Sequence, residues 1–182
     1  MSETDILAFG GASPQLAPSV FVAPGSRIIG DVVLGDDVSV WYNCVIRADV
    51  NHIRIGARTN VQDGSVIHCD SPHDDSLGYP TIIGEDCLVG HMALLHGCTL
   101  HDRAFVGMGS IVLNGALIES DGMLAAGAML TSGKVIRSGQ LWAGRPAKYL
   151  RDLTPEEIAS NQVGVKGYVE NGRRHAAALK VR

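Results

Sequence analysis

Residues 100–142 read LHDRAF VGMGSI VLNGAL IESDGM LAAGAM LTSGKV IRSGQL W, with a large apolar residue opening every block of six. That column is Leu100, Val106, Val112, Ile118, Leu124, Leu130, Ile136 and Trp142. Traced towards the N-terminus, it continues through Leu95, Val89 and Ile83, then Ile67, Val61 and Ile55, then Ile46, Val40, Leu34, Ile28 and Val22. One residue is missing between Leu95 and Leu100, ten are extra between Ile67 and Ile83, and three are extra between Ile46 and Ile55. A strict period of six fits neither the 3.6-residue repeat of a helix nor the alternation of an ordinary strand. It fits a solenoid in which each hexapeptide makes one flat side and a corner, and three sides close a coil. The column residues then point inward and stack from coil to coil as one aliphatic core. Gly, Asn and Asp near the corners suit backbone angles that other residues resist.

The repeat ends near Trp142–Ala147. Beyond it, Thr154, Pro155 and Glu157 read as N-cap, first helical residue and capping-box partner. A helix follows from about 155 to 178, weakened by Gly164, Gly167 and Gly172. The expected fold is therefore all-β: a parallel β-helix of hexapeptide repeats over residues 12–147, with a C-terminal α-helix over 154–178 packed on the same domain.

Composition narrows the class of function. The 182 residues are 46% hydrophobic and 19% charged, with 22 Gly and only three Phe, which is globular and built on aliphatic side chains. A net charge of −4 gives no electrostatic case for nucleic acid or an anionic membrane. No run approaches the roughly 18 apolar residues of a membrane span. The N-terminal stretch, with Glu3 and Asp5, lacks the basic and apolar regions of a signal peptide. Cys44, Cys69, Cys87 and Cys98 show no CxxC spacing, so reduced thiols in the cytoplasm are the expectation.

Three of the seven histidines gain meaning from the repeat. His68 follows Ile67 and His96 follows Leu95, so strand alternation turns both outward. They are 28 residues apart; less the ten inserted, that leaves 18, or one full coil. The pair should stack on neighbouring rungs about 5 Å apart. His91 lies five residues before His96, up to roughly 16 Å of extended chain, whereas ligands of one zinc stand about 2.1 Å from it. A three-histidine site therefore favours His91 from a neighbouring copy, which makes metal binding and trimerisation one hypothesis. Hydrogen bonding at an interface is the alternative for each histidine alone. His52, His101 and His175 lack such an arrangement and read as surface residues, and His73 sits in the inserted loop near His68.

The run Ile46-Arg47-Ala48-Asp49-Val50-Asn51-His52-Ile53-Arg54-Ile55-Gly56, the run Asn60–His68 and the run Val89-Gly90-His91-Met92-Ala93-Leu94-Leu95-His96-Gly97-Cys98 resemble the γ-class carbonic anhydrases, from about residue 12 into the terminal helix. The resemblance implies left-handed coiling, a homotrimer, and a zinc ion (Fe2+ or Co2+ also suit three imidazoles) held by His68, His91 and His96. It implies reversible hydration of carbon dioxide to bicarbonate by a metal-bound hydroxide at the trimer interface. By the same resemblance Asn60 and Gln62 lie beside the reacting water, Tyr168 matches a tyrosine of the terminal helix, and Arg47, Asp49 and Asp63 form a charged cluster near the interface. That cluster reads equally as a structural ion pair fixing trimer register. The best-studied members carry a glutamate where this chain has Val50 and another in a longer acidic loop, where residues 71–80 offer only Asp74, Asp75 and His73. Proton transfer is thus expected to lack its usual carriers. Two other readings stay open on the same scaffold: acyl transfer or hydrolysis on coenzyme A thioesters, and a non-catalytic metal-binding trimer.

Overall fold

The computed structural model describes residues 5–180. Among them the strands fall into three faces of a parallel solenoid. The first face runs from Phe21–Val22 through Ser39–Val40, Asn60–Val61 and Leu88–Val89 to Gln140–Ala143. The second holds Val66–His68, Leu94–His96, Ile111–Val112 and Met129–Leu130, and the third holds Thr81–Ile83, Thr99–Leu100, Leu117–Ile118 and Val135–Ile136. The longer strands Arg27–Leu34 and Val45–Ile55 turn the corner between the second and third faces.

Cross-rung register follows the hexapeptide count. On the second face Ile28 pairs with Ile46, Ile46 with Ile67, Ile67 with Leu95, Leu95 with Val112, and Val112 with Leu130. The steps are 18, 21, 28, 17 and 18 residues, which are a full coil, a coil plus three, a coil plus ten, a coil less one, and a coil. The insertions are expelled outward because inside they would break the stack. The three extra residues bulge at the corner beyond Ala48, and the ten extend the 69–80 connection. From Ile28 to Ile136 every column residue is buried in one continuous core. Full burial of each such side chain is worth roughly 1.5–3 kcal/mol.

Two strands lie outside the repeat and had no periodic signal. Asp5–Leu7 adds a rung beside Arg27–Ile29, and Lys148–Asp152 returns antiparallel along Gln140–Ala143. The helix Pro155–Lys180 begins with the reciprocal capping bonds: Glu157 N–H donates to Thr154 Oγ1 at 3.2 Å and Thr154 N–H to the Glu157 carboxylate at 2.9 Å. It stays continuous through its glycines because it lies on the first face, where Gly172 packs within ordinary contact of Ser39 and Phe21. Val165 and Gly172 are the helix residues buried there. Among the described residues no helix is long and apolar enough to cross a membrane.

Leu124→Ala should cost about 2–5 kcal/mol, since the stacked coils cannot collapse into the cavity; a lowered urea midpoint at unchanged slope checks it. The four cysteines are free and buried. Burial pushes the Cys98 and Cys87 thiols up to about 12 and Cys44 to about 11. Iodoacetamide at pH 8 should therefore label none of these three in the native protein and all four cysteines in denaturant, read by mass spectrometry. With folded values raised, these thiols stabilise the fold fully below the unfolded value of 9.0 and lose that contribution as pH rises towards 12.

Candidate metal centre

Arg47, His68 and His96 occupy equivalent positions on three successive rungs of the second face. Ile67 and Leu95 point into the core, so the imidazoles that follow project outward. The two rings stand 5.0 Å apart at their centroids, and His68 Nδ1 lies 3.1 Å from His96 Nε2.

Their outer nitrogens are already engaged. His68 Nε2 meets Asp49 Oδ1 at 2.9 Å, and the other Asp49 oxygen accepts from Arg47. Burial by itself pushes the Asp49 carboxyl up, but the bonds from His68 and Arg47 outweigh it and hold it below the usual carboxylate range. His96 Nδ1 meets Asn114 Oδ1. Both partners accept, so each outer nitrogen of a neutral ring carries the proton. The inner nitrogens then face one another as bare lone pairs, an arrangement that repels unless a cation lies between them. Two bonds of about 2.1 Å at a tetrahedral angle would set two ligating nitrogens about 3.4 Å apart, close to the observed separation. The outer carboxylate and amide are the supports that metal-binding histidines use. The residues fit a divalent metal.

His91 stands elsewhere on the chain, at the corner between the first and second faces. It sits one rung below Asp63, and its Nδ1 meets Asp63 Oδ2 at 2.9 Å. The side chain is 43% exposed. Among the described residues of the single chain, no group of three or more His, Cys, Asp or Glu could hold a metal. His68 and His96 are brought together, and His91 is not brought to them.

No protein-family model matches the chain. Individual relatives do. A carbonic anhydrase of Geobacillus kaustophilus is 46% identical over 177 residues, spanning 97% of this chain and 94% of that protein. The mitochondrial gamma carbonic anhydrase 2 of Arabidopsis thaliana is 44% identical over 165 residues, 91% of this chain. The chain belongs to the γ-carbonic anhydrase family. It spans about three fifths of the Arabidopsis relative, 59% of that length. Among solved structures, a hexapeptide transferase family protein of Anaplasma phagocytophilum superposes with a TM-score of 0.86 at 45% identity, covering 93% of this chain and 96% of that one. A putative acetyltransferase of Bacillus cereus gives 0.92 at 39% identity, covering 97% and 99%.

The remaining residues expected from the γ-carbonic anhydrase resemblance divide between two regions. Asp49 joins Arg47 and His68, whereas Asp63 joins His91, so one chain does not gather Arg47, Asp49 and Asp63 into a single cluster. Asn60 is fully buried on the face that carries the helix. Its amide nitrogen donates to the Cys87 carbonyl at 3.3 Å and its oxygen accepts from Gln62 Nε2 at 3.0 Å. Within the chain, Asn60 thus positions Gln62. Tyr168 packs edge-on against Trp41 with ring centroids 5.4 Å apart. Burial, followed by the charge of Asp63, raises its phenol above the ordinary value, which places it on the His91 side.

Val50 is exposed, as are His73, Asp74 and Asp75 in the loop. That loop is braced rather than loose: Asn51 Nδ2 donates to the carbonyls of Asp70 and Leu77, both at 3.1 Å. The sequence reading missed Asn51, Asn114 and the bond between His175 Nδ1 and Tyr42 OH at 2.9 Å. Asn114 lies 18 residues after His96, so the coil count itself could have found it.

Asn60→Ala should destabilise the fold by about 1–3 kcal/mol by stranding the buried Gln62 amide, while the Cys87 carbonyl keeps its bond from the backbone N–H of residue 60 at 3.1 Å. His91→Ala, at an exposed corner, should change the stability of the isolated subunit by less than about 1 kcal/mol. Urea unfolding of the two variants checks the contrast.

Proposed function

We propose that this chain is a carbonic anhydrase that works as a homotrimer, with zinc held at each interface by His68 and His96 of one copy and the partner subunit's His91. The carrying observation is the pair of imidazole nitrogens that face each other 3.1 Å apart, with both outer nitrogens engaged by Asp49 and Asn114. The 44–47% identity to relatives named carbonic anhydrases supports the chemistry. The exposed corner position of His91 supports its delivery to another copy.

A bound divalent metal would supply the Lewis acidity that brings water to hydroxide near neutral pH. The chain's own residues do the rest. Asp49, steadied by Arg47, keeps the proton on His68 Nε2 and leaves Nδ1 to ligate. Asn114 does the same for His96 and leaves Nε2. Asp63 engages His91 Nδ1 and leaves its Nε2 for the shared site. Gln62, held by Asn60, and Tyr168 belong to the side that carries His91. Carbon dioxide and water give bicarbonate and one proton; with Val50 beside Asp49, that proton passes to solvent buffer or an exposed histidine. The free thiols suit a reducing compartment such as the cytoplasm.

Mixing variants tests both the chemistry and the shared site. His91→Ala and His68→Ala homotrimers should each lose carbon dioxide hydration by about two orders of magnitude or more. Co-expressed, they form mixed trimers in which some interfaces join an intact His68–His96 pair to an intact His91, and activity should return in part. Failure of mixing to restore any rate would mean that one subunit supplies every ligand. A zinc-loaded parent protein with no rate above buffer in stopped flow would remove the hydratase reading.

A further inference from the structure

One corner of the solenoid recurs on six rungs with the same left-handed backbone, three residues after the column residue, at Gly25, Asn43, Gly64, Met92, Gly109 and Gly127. Five of those residues are glycine or asparagine, which adopt this geometry readily. Met92, at φ +59°, is the exception, and it is the only apolar residue among the non-glycine positive-φ residues described. Its side chain is 71% exposed, so burial within the chain does not offset the backbone strain. Gly64, one rung above, leaves room for it: a Cβ there would come within 2.7 Å of the Met92 sulfur. Met108, 59% exposed, lies one rung below His91. The corner therefore presents His91 between two exposed thioethers.

The outer second face carries a matching surface. Val66 and Leu94 pair across the rungs beside the paired His68 and His96, and are 39% and 38% exposed. Aliphatic side chains thus flank the histidine pair, just as methionines flank the lone histidine. We propose that Met92 seats the corner of one copy against the partner subunit's Val66 and Leu94, so that assembly repays the strain and carries His91 to the metal. The partner is a second copy of this chain, because the three-histidine site is incomplete without one. The inference rests on the trimer reading of the proposed function, and it assigns Met92 as the positioning residue for His91.

Sedimentation equilibrium of the purified protein tests it without reference to activity. Met92→Gly relaxes the backbone at a corner where glycine is the usual occupant, so the subunit should fold, with an unchanged circular dichroism spectrum. The concentration at which half the chains are monomeric should nevertheless rise at least tenfold. Met92→Leu keeps the apolar bulk and should stay within about threefold of the parent. A Met92→Gly trimer as tight as the parent, or a Leu variant as weak as Gly, overturns the role of Met92 while leaving the trimer standing. A parent protein monomeric at all concentrations overturns the trimer as well. A trimer that depends on Met92 but shows no hydratase activity supports this inference and removes only the catalytic reading.

Discussion

Coil-on-coil registration of the inward aliphatic column governs the chain from Ile28 to Ile136. Each coil buries its side chains against the coils above and below, so no coil has a core of its own. A column residue slipped by one position would turn the whole face inside out. Length changes are therefore tolerated only where they leave the stack untouched, at the corners. The three-residue bulge after Ala48 and the long 69–80 connection both obey this rule.

The same registration makes chemistry out of insertions. The bulge places Asp49 within reach of His68, one rung below Arg47. The long connection leaves His68 on the rung next to His96, because Thr81 resumes the third face in register with Ile53. Thr81 Oγ1 also bonds the His68 carbonyl and accepts from Gly97 N–H at 2.9 Å, which ties the two histidine strands at their ends. Two side chains that would each be flexible on a loop are thus held on a stiff parallel sheet, as a metal site requires.

The first face solves a different problem. Its outer side chains are covered by the terminal helix, and Phe21 and Trp41 form with Ala23 a small second core against which Tyr42 and Tyr168 pack. That covering buries Asn60 and Gln62, whose amides then need partners and find them in each other and in the Cys87 carbonyl. The helix leaves the second face and its corner open. Exposed apolar residues there, Met92, Met108, Val66 and Leu94, lie beside the histidines.

The six-residue period by itself determined the solenoid, the inward column, the sites of insertion and the pairing of His68 with His96, because each is a consequence of counting along the chain. The capping box determined where the helix begins, because its bonds are local. The flanking strands Asp5–Leu7 and Lys148–Asp152 escaped, since neither continues the period. Only the tertiary structure decided which ring nitrogens face one another, since that follows from Asp49 and Asn114 engaging the outer ones. It also decided that Asn60 is sealed under a helix about a hundred residues further on, and that within one chain Asp63 meets His91. Those outcomes depend on side chains far apart in sequence meeting on the outer surface, where the repeat constrains position but not company.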